Sequence, residues 1–154
     1  MEYSLISQDS FTVLGLSARI DPNHPEAIGE LWERFRASSL AEEVPNRTND
    51  DVWAVYYDYE GDHQHPYRLC VGYRVDSVGQ VPESLTLVHV PASYYAMYFA
   101  QGPLPQAIVD TWQHVWETPL ARRYRADFEV YGRFAQDPSD AEVPVFVGIE
   151  SPDA

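Results

Sequence analysis

The chain of 154 residues has no lysine: all ten of its cations are arginine, set against 24 acidic residues and a net charge of -14. A lysine Schiff base and a P-loop lysine are therefore excluded. The charge balance also argues against nucleic-acid binding, because no basic patch is available to neutralise phosphates. Cys70 is the single cysteine, so no intrachain disulfide is possible, which fits a reducing compartment. It lies in an apolar strand pattern and is expected to be a buried, inert thiol. No glycine-rich phosphate loop is present, Ser38 and Ser39 lack a nucleophile-elbow context, and no Ser-His-Asp order can be argued. His63 and His65 frame Gln64 in a turn without a third ligand, so neither a metal nor a cofactor is expected. No apolar run approaches membrane length and the N-terminus lacks a signal pattern, so a soluble, cytoplasmic protein is expected.

What is abundant is aromatic. Rings make up 14% of the residues, with eleven Tyr and four Trp, in a chain that is 45% hydrophobic. Rings supply apolar area with polar tips, which favours a binding cavity, although tyrosine-rich sheets give a similar count. The acidity has three readings: a field that steers cationic ligands, a solvated surface, or adaptation to a saline cytoplasm.

The pattern of elements repeats. Residues 11–20 read as a strand, and Asn23, Pro25 and Glu26 announce a helix to about Ser38, with Asn23 as the cap. Its apolar stripe is Ile28, Leu31, Trp32 and Phe35. After a surface connection over 42–51, residues 52–60 and 67–76 read as a strand hairpin. Residues 77–84 link to a second copy with short strands at 85–90 and 93–101. Its helix reaches about Glu117, with Ile108, Trp112, Val115 and Trp116 on its stripe. Strands at 128–134 and 143–149 follow, then a polar tail over 150–154. The expectation is one domain over 1–154, with pseudo-repeats at about 1–76 and 85–150. The fold class is α+β: duplicated strand-helix-strand-strand units forming an antiparallel sheet with two main helices and a groove between the copies.

On the strand at 128–134, Glu129, Tyr131 and Arg133 share one face. A carboxylate and a phenol beneath tryptophan-bearing helices could hold an organic cation, through Coulomb attraction in a partly dry pocket and through ring faces. The same pattern also suits a solvated sheet face with Glu129 paired to Arg133. Trp32, Trp112 and Trp116 fit either core or groove. Tyr56, Tyr59, Tyr73, Tyr94 and Tyr98 share that ambiguity.

Four stretches carry a family likeness: 30–35 in the first helix, 56–60, 67–73, and Asp127-Phe128-Glu129-Val130-Tyr131-Gly132-Arg133-Phe134, with the paired tryptophans of 107–116 in support. In order and spacing they resemble the gyrase-inhibitor-like effector-binding domains, which also form the ligand-binding half of some AraC-type and MerR-type regulators. The resemblance implies a ligand cleft between the copies, with Glu129 as the acidic anchor for cationic or lipophilic compounds. It also implies aromatic walls from both copies, here Tyr131, Trp112, Trp116, Trp32, Tyr56, Tyr73 and Phe99. Many relatives carry a helix-turn-helix domain, and this chain resembles the free-standing form.

Three functions follow as expectations. The first is a receptor or sequestering protein for cationic, lipophilic small molecules, acting in transcriptional regulation or drug sensing, with a protein partner where it signals. The second is a hydrolase of electrophilic compounds, with Glu129 as base and a tyrosine such as Tyr131 as acid. The third is an acidic module that occupies a DNA enzyme such as gyrase.

Overall fold

The computed structural model describes residues 1–77 and 79–152. Val78 in the expected link, and Asp153 and Ala154 in the expected tail, lie outside the described residues. The elements run β1 (Ser4–Gln8), β2 (Phe11–Ile20), α1 (Glu26–Ala37), α2 (Leu40–Glu43), β3 (Val52–Tyr57), β4 (Tyr67–Val75), β5 (Thr86–Val90) and β6 (Ser93–Gly102). They continue with α3 (Gln106–Glu117), β7 (Ala126–Tyr131), a 3-10 turn (Arg133–Ala135) and β8 (Ala141–Ile149). One antiparallel sheet has the order β1-β6-β8-β7-β3-β4-β2-β5. The order exchanges β1 with β5, β6 with β2, β8 with β4 and β7 with β3. The strand-helix-strand-strand runs of the two copies therefore meet where β7 pairs with β3, and the leading strand of each copy crosses to the other, β1 pairing with β6 and β5 with β2.

Both long helices cover the same face of the sheet. Leu31 of α1 is buried among Ile20, Ala54, Leu69 and Val71, while Ile28, Trp32 and Phe35 pack at its margin. In α3, Ala107, Trp112 and Val115 pack against Ala96, Tyr98 and Ala100 of β6 and the valines of β8. The stripe at i, i+3, i+4 and i+7 thus faces the sheet in both helices, with Trp116 at its wet edge.

No helix covers the opposite face, so the sheet curls over itself. The rings of Phe11 on β2 and Phe128 on β7 lie 5.0 Å apart. Three strand spacings separate those strands, about 14 Å if the sheet were flat. Phe11, Trp53, Phe128, Tyr95 and Val90 share one cluster inside the curl. Cys70 lies there as well, fully buried, and burial pushes its thiol up to about 12. Gly15 and Gly72 face each other across β2 and β4 at the bend. A Cβ on Gly72 would sit 2.1 Å from the carbonyl oxygen of Leu14. Two main chains approach there more closely than any side chain allows.

Several sequence expectations are corrected. β1 was not anticipated; its alternation is short and mostly exposed, and pairing with β6 organises it. The connection after α1 is not wholly at the surface, because α2 and Val44 insert Leu40 and Val44 beneath Leu14 and Val75. Asn23 does not cap α1; its own N–H donates to Asp21, and Pro25 occupies the cap without a side-chain bond. The strand expected over 52–60 ends at Tyr57, as Asp58 takes a left-handed φ of 49°. The strand expected over 128–134 ends at Tyr131, and Arg133 turns away in the 3-10 segment. Arg133 therefore neither extends the Glu129 row nor pairs with it.

Gly72→Ala is expected to destabilise the fold by about 1–3 kcal/mol through overpacking. Urea unfolding should show a lower midpoint with an unchanged slope. The Cys70 thiol should resist a thiol reagent at pH 8 in the native protein and react fully once denaturant exposes it.

Candidate functional site

Strand alternation sorts β7 into two chemistries. Ala126, Phe128 and Val130 point into the curl, among its apolar rings. Asp127, Glu129 and Tyr131 point to the helix-covered face, at the seam where Glu129 pairs with Ala54 of β3. Glu129 is 1% exposed and Asp127 is wholly buried, so two carboxylates stand in the driest part of the sheet.

Their partners differ in kind. Among the described residues, Glu129 accepts only from uncharged donors: Trp112 Nε1 at 2.6 Å and Tyr56 Oη at 2.7 Å on Oε2, and Tyr131 Oη at 2.7 Å on Oε1. Burial raises its pKa above the ordinary carboxylate value, and the three hydrogen bonds pull in the opposite direction. Burial and the Glu129 charge hold the Tyr56 and Tyr131 phenols well above theirs, so both remain donors. Tyr67, affected by the same two causes, is pushed to about 12. Asp127 has a cation instead. Its Oδ2 accepts from Arg122 Nη2 at 2.7 Å and from the Tyr59 hydroxyl, and its Oδ1 takes the Gly148 N–H at 2.7 Å. The local balance is one ion pair plus one unpaired negative charge.

Beside the carboxylates is a hollow of about 180 Å³. The first copy supplies Ile20, Pro22, Pro25 and Ile28 from the corner between β2 and α1. Tyr56, Tyr59, His63 and Tyr67 come from β3, β4 and the turn between them. The second copy closes it with Trp112 and Trp116 of α3 and with Arg122. The rings form two groups: in one, Tyr56 lies 5.2 Å from Trp112 and 5.6 Å from Tyr67, and Tyr67 lies 5.7 Å from Tyr59; in the other, His63 stacks on Trp116 at 5.3 Å. Glu129 is bonded to two wall residues, Tyr56 and Trp112, and is itself behind the wall.

Of the residues singled out in the sequence, Tyr56, Trp112 and Trp116 are in the wall, with Glu129 and Tyr131 behind it. Trp32, Tyr73 and Phe99 are not. Trp32 packs edge-on to Tyr131 at 4.9 Å and to Phe35 at 6.0 Å, supporting the site from beneath α1. Tyr73 belongs to the α2 cluster, 5.8 Å from Phe35. Phe99 is 45% exposed, on the face of β6 opposite the one that packs Tyr98 against α3. The sequence reading did not select Asp127, Arg122 or His63 for the site, although Asp127 stands two residues before Glu129 and so on its face.

Trp112→Phe removes one of the three donors and replaces the indole with a smaller aromatic ring. The variant should lose about 1–3 kcal/mol of stability. Its Glu129 should titrate at higher pH than in the parent, because a bond favouring the charged form is gone. A carboxyl-carbon NMR titration reads this directly. The folded-state value already exceeds the unfolded one. The contribution of this group to stability is therefore present below the unfolded pKa and lost as pH rises through the folded one.

Comparison with known proteins places this geometry in context. The candidate transcriptional regulator YobU of Bacillus subtilis (strain 168) is 26% identical over 129 residues, 82% of this chain and 79% of YobU. The transcriptional regulator BrlR of Pseudomonas aeruginosa is 26% identical over 159 residues, covering 97% of this chain but 56% of BrlR. The chain therefore spans little more than half the length of that relative. Among solved structures, SAV2435 bound to tetraphenylphosphonium shares the fold, with a TM-score of 0.80 at 15% identity over 98% of this chain and 95% of that one. Residues 4–149, nearly the whole chain, match the Cass2 family model, and the chain belongs to this family of integron-associated effector binding proteins.

Proposed function

We propose that the chain is a receptor or sequestering domain for flat, lipophilic organic cations, held in the hollow between the two copies. The observation that carries the reading is Glu129: a buried carboxylate with no cationic partner among the described residues, bonded to two rings of an aromatic wall. A carboxylate left unpaired in a dry site attracts a cation several times more strongly than one in water. The rings beside it add cation–π attraction, about 0.5–2 kcal/mol each according to desolvation. That SAV2435 is bound to tetraphenylphosphonium, a lipophilic cation with its rings set tetrahedrally, supports the lipophilic-cation part of this reading, while the preference for a flat ligand rests on the ring faces of the wall. The names of YobU and BrlR support a regulatory output. Hydrolysis is less well served, since both Glu129 oxygens are occupied by donors and neither is at the wall.

Two measurements test the reading with an isosteric pair, 1-methylquinolinium and 1-methylnaphthalene, followed by tryptophan fluorescence. Glu129→Gln should weaken the cation by about tenfold to a hundredfold and leave the neutral ring unchanged. Equal losses for both would remove the electrostatic claim. In the parent, affinity for the cation should fall as pH drops through the raised Glu129 pKa, because protonation removes the charge being read. Affinity for the neutral ring should stay flat over the same range.

A further inference from the structure

Arg122 has capacity at the cavity that the function above does not use. Its side chain is 5% exposed and forms part of the wall; its guanidinium carbon lies 4.2 Å from the Tyr124 ring centre, and of its nitrogens Nη2 is hydrogen-bonded, to Asp127. Its Nε and Nη1 are buried and find no acceptor among the described residues. Nδ1 of His63, in the same wall, is also buried without a partner. A guanidinium keeps its protons at every physiological pH, so these are permanent donors. Buried donors left unmatched are costly, and a ligand that brings an acceptor recovers that cost.

The charge around Arg122 decides which acceptor. Asp127 already neutralises the guanidinium, and an anionic ligand group would meet both Asp127 and Glu129. An uncharged oxygen gains the hydrogen bond without that repulsion. Trp112 lies between the two poles: its Nε1 holds Glu129, while its ring centre is 5.8 Å from Arg122 Cζ.

We propose that Arg122 forms a second subsite that binds a neutral acceptor oxygen. The preferred ligand is then bifunctional: an aromatic cation whose ring also carries a carbonyl, on the side away from the cationic nitrogen. This rests on the cation reading of the same cavity and adds a specificity determinant to it.

The test uses phenyltrimethylammonium ions bearing acetyl at the meta or para position, each compared with its isopropenyl isostere, in which CH2 replaces the carbonyl oxygen. At least one acetyl ion should bind the native protein about tenfold more tightly than its isostere. It should also shift the Arg122 Nε–H resonance in a nitrogen-15 spectrum, while the isopropenyl ion does not. Arg122→Lys keeps a cation for Asp127 but removes Nε–H and Nη1–H, and should erase the preference while isopropenyl binding persists. If the variant does not fold, the isostere comparison and the Nε–H shift in the native protein decide alone. Equal binding of both members of each pair, with no Nε–H shift, overturns the subsite and leaves the cation reading standing. Failure of every ion to bind removes the cation reading, and the subsite with it.

Discussion

A carboxylate buried among neutral donors is the constraint on which the rest of this structure depends. Moving such a group out of water costs several kcal/mol even after relaxation. Glu129 offsets that cost through Tyr56 on β3, Trp112 on α3 and Tyr131 on its own strand. Hydrogen bonds to a charged acceptor contribute about 1.5–3 kcal/mol each, so the three offset much of the cost but not all of it, and the pKa stays above the ordinary carboxylate value. They also join a strand of the first copy to a strand and a helix of the second. The negative charge is thus both the electrostatic centre of the site and the point where the halves are fastened together.

Asp127, two residues earlier in the same row, shows why the type of partner matters. It is as buried as Glu129, but Arg122 cancels its charge and the Gly148 N–H ties it to β8. Strand pairing between β7 and β8 is limited to Phe128 with Phe146 and Glu129 with Val145, so the Asp127 side chain extends the connection beyond the backbone ladder. One carboxylate thus serves the sheet and the other keeps its charge available. Exchanging their partners would place a neutral pair beside the aromatic wall and leave the sheet joint charged.

Most of the fold was legible in the sequence because it is written in periodicity. The stripes of both helices, the hairpin of β3 and β4, and the alternation that turns Glu129 and Tyr131 to one face are short-range patterns. The curl was not legible, because it depends on a contact between Phe11 and Phe128 across strands distant in sequence. Which rings line the hollow is set by tertiary placement as well. Trp32 and Tyr73 have the composition of a wall but pack beneath α1 and α2, while Phe99 lies on the face of β6 away from the helices. Arg122 lies in the connection between α3 and β7, bridged to Ile149, and His63 lies in a turn; no period assigns either a direction, and their pairing and stacking partners are set by tertiary structure. Asp127 was the readable omission, since the rule that selected Glu129 also selects its neighbour two residues back.

The acidity of the chain and the charge of the site act over different ranges. Surface carboxylates are screened within about 8–10 Å at ordinary ionic strength, so a net charge of -14 acts mainly on the approach of a cation. Glu129 is sealed from that screening by Tyr56, Trp112 and Tyr131, so on the proposed cation reading it acts on a bound cation and hardly on an approaching one. On that reading the surface charge could be diluted without loss of selectivity, whereas the buried Glu129 charge could not. The aromatic wall would then have two roles in this division: it would supply faces to the ligand, and it would keep water and salt away from the carboxylate that gives those faces a preference for cations.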